Sequence, residues 1–553
     1  MATTPMSVQD ALWLTMDRPN NLMVVDGAMV LSQPVTLDDV KDVMLATAAR
    51  FPVFKRKPLR RGTSWSWIDD PAFDVSQHVR HVTLEGPADM AALQRFMAER
   101  RSKQLNKRCA LWETFLVSPL TLDDGSQGCA VVSRFHHAIA DGVRLTQVML
   151  GMCEAADGTV VPRVARNGTG DGPFDPMAVV ASGATETARV SAAAVRSVGG
   201  AATGFVLMLA TSLSDAAKRA GQAVTDPVGS LTAAPGALAA VPGRAVAAAT
   251  GLTRGGLHGI EEGVAVVRHP DRLLDALEIL GVEDHRTLND LSSVTKLLFT
   301  DSGDAVWTGK PGAKKAVAWS PPLPLSDVMR TARANGATMN DVMLAAIAAG
   351  LRRYLALHDD RLDEVVWMVP VNLKPFADNL PEELGNYFAL IMLPMPLDGG
   401  TPKERLTEMR HRMQRIKHSD EAVLTFGLQR GVSLSPSRMA FFLTNFFANK
   451  AVGVLSNVPG PTGELRYAGV PVRQVVGFAP CSGNQPMTAT IFTYNGTVTV
   501  GFATDARLVP DPDVLVDLVV DDLAAMRAAV GRSPRAPRKA TKPAKAVKPA
   551  AAH

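Results

Sequence analysis

The eight residues Gly128–Phe135, "GCAVVSRF", leave few folds open to this chain. An apolar run that short reads as a strand, and it shows none of the in-out alternation of a sheet with one wet face. Such a strand is buried on both sides, so it sits centrally in a sheet that carries other layers above and below. The surrounding segments supply those layers. Leu22–Leu31, "LMVVDGAMVL", reads as a second strand. Leu37–Phe51 and Asp89–Leu105 place apolar residues at helical spacing with polar faces opposite. Residues 1–155 therefore read as mixed strands and helices.

The apolar strand runs straight into "HHAIADG", His136–Gly142. Successive side chains of a strand point apart, so one of the two histidines faces a reaction site. An imidazole, with an ordinary pKa near 6.5, is the natural general base at neutral pH. Asp141, four positions after His137, holds the local backbone or pairs with an arginine. Gly142 is expected to allow a tight turn before the helix that begins in "VRLTQVMLGMCEA". Three readings stay open from the residues alone: a catalytic base, half of a metal site made by His137 and Asp141, or two hydrogen-bonded core histidines. The metal reading lacks a third ligand cluster. No Gly-x-Ser-x-Gly elbow is present to supply a serine nucleophile.

The composition changes sharply in the middle of the chain. Only nine charged residues fall in positions 177–255, where Ala, Gly and Val dominate. The most apolar part, "GGAATGFVLMLATSL", is shorter than the roughly 20 residues that cross a bilayer. It reads either as Ala-rich helices packed on or between domains, or as a surface resting on a membrane or lipid droplet. From about Ala316 the mixed pattern returns. "TMNDVMLAAIAAGLRRYLALH" is a strong helix, "EVVWMVPVNL", "YFALIMLPMPL" and "AVGVLSNVPGP" are strands, and "PKERLTEMRHRMQRIKHSDEA" is an amphipathic helix. Asn495-Gly496 marks a hairpin inside "ATIFTYNGTVTVGFATD". The expected fold class is α/β (α+β): a first domain over 1–176, an insert and linker over 177–315, a second domain over 316–531 and a tail over 532–553.

The formal charge of +4 belongs to that tail. "RSPRAPRKATKPAKAVKPAAAH" holds seven Lys/Arg and no acid, and without it 51 basic residues face 54 acidic ones, a net of −3. A Pro/Ala/Lys-rich segment cannot bury a core and is expected to be disordered. It suits an anionic membrane surface, or acts only as a solubilising tail; no specific nucleic-acid partner is expected. Four cysteines without paired spacing argue against a zinc site or a disulfide framework, and the first residues lack a signal-peptide pattern. Both features fit a reducing cytoplasm.

"HHAIADG" matches His-His-x-x-x-Asp-Gly, the motif of CoA-dependent acyltransferases that resemble chloramphenicol acetyltransferase and peptide-synthetase condensation domains. "PMSVQDALWL", "FDVSQHVRHVTL", "LWETFLV", "NDVMLAAIAAGLR", "VPVNLKP", "LGNYFAL" and "LSNVPGP" follow in the order of the bacterial wax ester synthase/diacylglycerol acyltransferase family. The resemblance covers roughly Pro5–Ala155 and Ala316–Ala529. The chain has Ala110-Leu111-Trp112 where that family has Pro-Leu-Trp, and Gly385-Asn386-Tyr387-Phe388 where Gly-Asn-Arg-Phe is common.

The resemblance implies two similar chloramphenicol-acetyltransferase-like domains with an active-site channel between them. It implies His137 as general base, His136 as support for the loop, a structural Asp141 and a turn at Gly142. It also marks Asn340 and Asp341 as functionally important. Asn340 then either hydrogen-bonds the thioester oxygen as it becomes an oxyanion or simply caps the helix that follows. The implied substrates are acyl-CoA and an acceptor, diacylglycerol or a fatty alcohol, with neither metal nor cofactor. The protein is expected in the cytoplasm, peripherally associated with the inner membrane or lipid inclusions. Two other readings stand beside this one: a condensation-type enzyme acting on a carrier-bound or complex lipid, and a non-catalytic coat of lipid inclusions. "SNVPGP" and "GNYF" are read as turn geometry, and Trp112 as core rather than tunnel lining.

Overall fold

The computed structural model describes residues 3–62, 64–156, 303–372, 380–386, 388–417, 444–445 and 448–531. The segment 177–255 and the tail 532–553 lie outside the described residues, and with them the helical insert and the disordered tail expected from the sequence.

Two seven-stranded mixed sheets form the scaffold, and neither closes into a barrel. The first has the order β5 (Val79–Val82), β6 (Trp112–Thr121), β7 (Gln127–His136), β2 (Val24–Leu31), β15 (Val470–Phe478), β14 (Leu465–Tyr467) and β8 (Glu154–Ala155). The apolar strand that ends in the histidine pair is β7; it lies inside this sheet and is buried from Gly128 onward. Its neighbour β2 is buried along its whole length. Two strands from late in the chain, β14 and β15, complete this sheet, with β15 pairing antiparallel to β2 at Gly477↔Gly27. The sheet that carries the histidine pair is therefore built from both halves of the sequence.

The second sheet runs β10 (Leu323–Pro324), β17 (Thr497–Asp505), β16 (Met487–Tyr494), β13 (Gly453–Pro459), β11 (Glu364–Asn372) and β12 (Phe388–Pro396), with β9 (Lys315–Trp319) also on β17. The β16–β17 hairpin turns at Asn495-Gly496, as expected, and both residues have positive φ, 44° and 73°. That conformation suits an Asn-Gly pair and matches the strand twist. A small third sheet joins β1 (Thr3–Pro5), β4 (Ser64–Asp69) and β3 (Arg56–Arg61).

Helices cover the sheets: α1 (Val8–Met16), α2 (Leu37–Arg50), α3 (Val75–His78), α4 (Met90–Arg101), α5 (Gly142–Leu150), α6 (Leu325–Ala334), α7 (Met339–Leu357), α8 (Pro402–Lys417) and α9 (Pro512–Gly531). Helix α7 buries 14 of its 19 residues, which explains why its sequence is apolar on nearly every face. Gly350 lets α9 approach: a Cβ there would lie 2.6 Å from Val519 Cγ2. The N-cap of α7 is Thr338, whose hydroxyl accepts from Asp341 N–H at 3.2 Å while the Asp341 carboxylate accepts from Thr338 N–H at 2.8 Å. This reciprocal box satisfies two of the first-turn donors. The largest core packs Trp13, Trp112 and Phe135 against Leu384, Phe388, Phe492 and Tyr494 from the far half of the chain. Each such side chain, once buried, contributes roughly 1.5–3 kcal/mol.

Candidate active site

Strand β7 stops at His136, where the chain leaves the sheet under firm restraint. His136 N–H donates to Leu111 O at 3.0 Å, His137 N–H to Met23 O at 2.8 Å, and Ile139 N–H to His136 O at 2.9 Å. The two imidazoles then diverge, as alternation along a strand requires. His136 turns inward, and its Nδ1 accepts from Ala138 N–H at 3.1 Å. The ring hydrogen of the neutral form must then sit on Nε2, which faces Asp17 Oδ2 at 3.7 Å, beyond hydrogen-bond length. Asp17 is occupied elsewhere: it accepts from Met23 N–H at 3.0 Å and pairs with Lys107 Nζ at 2.7 Å. Burial pulls the His136 pKa down and outweighs Asp17, so the pair is a neutral imidazole beside an ionised Asp17–Lys107 bridge. His136 holds the loop from within.

His137 occupies a different environment. Its ring lies against Trp13 of α1, centroids 4.3 Å apart, and against Phe388 at the start of β12, 5.7 Å apart. Only 6% of the residue is exposed. Desolvation pulls its pKa to about 4, with its own backbone carbonyl and Asn386 pulling the other way. The imidazole is therefore neutral at pH 7. Its Nδ1 is buried with no hydrogen-bond partner among the described residues. A cavity of about 230 Å³ lies near the loop, lined by Met16, Met23 and Asn449 among others, but the His137 ring does not line it.

Asp141 is the N-cap of α5, accepting from Arg144 N–H at 2.9 Å, which fits the structural role expected for it. The loop between them is bridged to the second half of the chain, Ala140 lying in parallel register with Gly385. Gly385 has φ +88°, so turn geometry does require a glycine there. The neighbouring Asn386 does more: its Nδ2 donates to His137 O at 3.0 Å and to Asp10 Oδ1 at 2.7 Å. Gly142 corrects the sequence reading. It has no positive φ, and no atom lies within 4 Å of where its Cβ would stand, so the turn does not need a glycine. What the missing side chain leaves is open space at the mouth of α5.

Asn340 and Asp341 sit in the first turn of α7. The cap is Thr338, so Asn340 does not cap the helix, and Asp341 completes the capping box. Asn340 Oδ1 accepts from Asn457 Nδ2 at 2.8 Å, which ties the helix start to the "SNVPGP" strand β13. Among the described residues, no hydrogen bond or ring contact joins Asn340 or Asp341 to either histidine. Trp112 is core: its Nε1 donates to Phe54 O at 2.8 Å and its ring stacks on His78.

Asp10 and Trp13 were not singled out from the sequence, and Asn386 and Phe388 were read there only as part of a turn. They lie in the "PMSVQDALWL" and "LGNYFAL" runs, whose joint appearance beside a histidine motif was the available signal. Among the described residues, no group of three or more His, Cys, Asp or Glu stands together as a metal site.

With the geometry in place, likeness to known proteins can be weighed. A family model for the wax ester synthase/diacylglycerol acyltransferase catalytic domain matches residues 6–250, and one for the C-terminal domain of the same family matches 384–527. A Mycobacterium tuberculosis protein provisionally named a diacylglycerol O-acyltransferase is 23% identical over 474 residues, covering 84% of this chain and 82% of its own. A Mycobacterium bovis protein with the same provisional name is 25% identical over 554 residues, covering 94% and 90%. The structure of a wax ester synthase/diacylglycerol acyltransferase from Marinobacter aquaeolei superposes with a TM-score of 0.58 at 18% identity, covering 96% of this chain and 100% of the other. The first condensation domain of the calcium-dependent antibiotic synthetase, in complex with a substrate analogue, gives 0.51 at 16% identity, covering 96% and 97%. At these identities the two structures establish a shared fold.

Proposed function

The chain belongs to the wax ester synthase/diacylglycerol acyltransferase family and is an acyltransferase; we propose that it moves a fatty acyl group from acyl-CoA to the hydroxyl of diacylglycerol or a long-chain alcohol, with His137 as the general base. The observation that carries this reading is the seat of His137. A neutral imidazole, walled by Trp13 and Phe388, is the form that accepts a proton.

In the proposed reaction His137 Nε2 takes the acceptor's hydroxyl proton as the oxygen attacks the thioester carbonyl carbon. A tetrahedral oxyanion forms, the carbon–sulfur bond breaks, and the CoA thiolate takes the proton back from the imidazolium. The negative charge of the intermediate offsets the desolvation that disfavours imidazolium in the free site. Asn340 is suited to the oxyanion: Asn457 engages its Oδ1, leaving its Nδ2 hydrogens without a partner among the described residues. His136, Asp141 and the backbone bonds to Met23 and Leu111 keep the loop in place. With 6% of His137 exposed, the acceptor displaces part of the aromatic wall as it enters.

Both acceptors are apolar, so the enzyme meets them at a membrane surface or lipid inclusion. Among the described residues no helix is long and apolar enough to cross a membrane. Acyl-CoA enters as substrate, and the proposed steps use only side chains of this chain.

Purified protein incubated with labelled palmitoyl-CoA and either diolein or hexadecanol tests the reading. Wild type should release CoA and form labelled lipid ester with at least one acceptor, and His137→Ala should lose ~10²–10⁴-fold, the range for a positioned base. Equal CoA release by wild type and variant with both acceptors would remove the proposal.

A further inference from the structure

The unpaired Nδ1 of His137 has a counterpart 249 residues away in sequence. Asn386 Nδ2 donates to His137 O and to Asp10 Oδ1. Both of these partners are acceptors, so the NH₂ group must face them, and the amide orientation is fixed by its surroundings. The Asn386 Oδ1 must then point the other way. It too is buried without a partner among the described residues. An imidazole nitrogen and an amide oxygen are complementary as donor and acceptor. Here each is left over, on two residues already joined through the His137 carbonyl. The proton affinity of the His137 ring is raised first by the residue's own backbone carbonyl and then by the Asn386 side chain.

We infer that Asn386 is the positioning residue of the catalytic histidine: its Oδ1 receives the Nδ1–H of His137 during turnover, which leaves the Nε2 lone pair for the acceptor hydroxyl. Catalytic hydrogen bonds are often unmade in an empty site and tighten when the substrates are bound. Asp10 is the anchor. Its backbone N–H is held by Ser7 Oγ at 3.0 Å, and its carboxyl fixes the Asn386 amide group. The bridge between Ala140 and Gly385 and the contact of the Phe388 ring with His137 place residues on both sides of Asn386 against the same loop. One half of the chain thus carries the base, and the other sets which of its nitrogens bears the proton.

This inference rests on His137 being the base, so the test separates the two. In full-length protein labelled with ¹⁵N-histidine, His137 should show the Nδ1–H tautomer, and Asn386→Ala should shift it toward Nε2–H. Wild-type protein with His137 protonated on Nε2 would overturn the inference whether or not any variant folds. In the palmitoyl-CoA assay, Asn386→Ala should lower kcat about 10–100-fold, as loss of an orienting partner does, with KM for palmitoyl-CoA within about threefold. Asn386→Asp alone would set a carboxyl against that of Asp10, so it is paired with Asp10→Asn, which keeps an amide–carboxylate contact; in that double variant the acid limb of kcat/KM should move up by about one pH unit or more. A merely structural asparagine would lower thermal stability and leave that limb in place, and this result also overturns the inference. His137→Ala with wild-type activity would refute the base itself. An inactive His137→Ala beside Asn386 variants with an unmoved pH limb refutes only the role of Asn386.

Discussion

Two buried polar clusters lie two residues apart on β7, and they are finished to different degrees. At Arg134, which is 0% exposed, every arm of the guanidinium is engaged: Nε with Asp26 at 2.8 Å, Nη1 with Glu113, and Nη2 with Lys103 O at 2.8 Å. Arg101 completes the cluster by pairing with Asp26 and donating to Ala479 O at 2.5 Å. At the strand's end, His136 Nε2, His137 Nδ1 and Asn386 Oδ1 are buried without partners. Unpaired buried polar atoms are costly, so a fold that keeps them beside a saturated cluster tolerates them for a reason. The Arg134 cluster holds three sheet strands, β2, β6 and β7, and helix α4 together. On the proposal above, His137 Nδ1 and Asn386 Oδ1 pair with each other during turnover, which leaves His137 Nε2 for the substrate.

The sharpest way to break this contrast is to unbalance the finished cluster. Arg134→Met leaves Glu113 without its buried partner and Asp26 with Arg101 alone, and should cost about 3–5 kcal/mol in urea denaturation. A loss below about 1 kcal/mol would show that the cluster is not structural.

A pH series separates the clusters further. Both histidines have folded pKa values below the unfolded value, His137 at about 4. The unfolded chain therefore binds more protons between roughly pH 6.5 and 4. Stability is fully present above pH 6.5 and declines as pH falls through that window, by up to roughly 3 kcal/mol for His137. In His136→Gln/His137→Gln the slope of stability against pH should flatten there. An unchanged slope would mean that neither ring is buried neutral.

The start of α7 offers a smaller test. Thr338→Ala removes the cap and should lower stability by about 1 kcal/mol. Asn340→Ala breaks the bond to Asn457 and should lower stability by about 0.5–1.5 kcal/mol, and it should also reduce kcat, because its amide group is proposed for the oxyanion. An unchanged kcat would return Asn340 to a structural role. Smallest of all is Gly142→Ala. The site accepts a methyl group, so stability should rise by about 0.4–1 kcal/mol, while KM for the acceptor rises if that space is the entry. An unchanged KM would place the entry elsewhere.

Legibility from the sequence followed distance along the chain. Strand β7, helix α7, the Asn495-Gly496 hairpin and the His136–Gly142 motif are local patterns, and all were readable. The cap of α7 was misplaced by two residues. Both Thr338 and Asn340 are capping types, and only the Thr-x-x-Asp spacing to Asp341 distinguishes them. Gly142 looked like a turn glycine because glycine is usually needed for its φ, whereas here its backbone is ordinary. The passage of β14 and β15 into the first sheet left no local mark. Neither did the Asp10–Asn386 bond, which joins residues 376 apart. Those features depend on tertiary pairing, which no periodicity encodes.

On the proposed reaction His137, walled by Trp13 and Phe388, performs the proton transfer rather than His136. The most direct measurement is the rate of ester formation from palmitoyl-CoA by His137→Gln and His136→Gln, each shown to be folded by circular dichroism. The account predicts a loss of at least about 100-fold for His137→Gln and a markedly smaller loss for His136→Gln. A folded His137→Gln that turns over near the wild-type rate would contradict it.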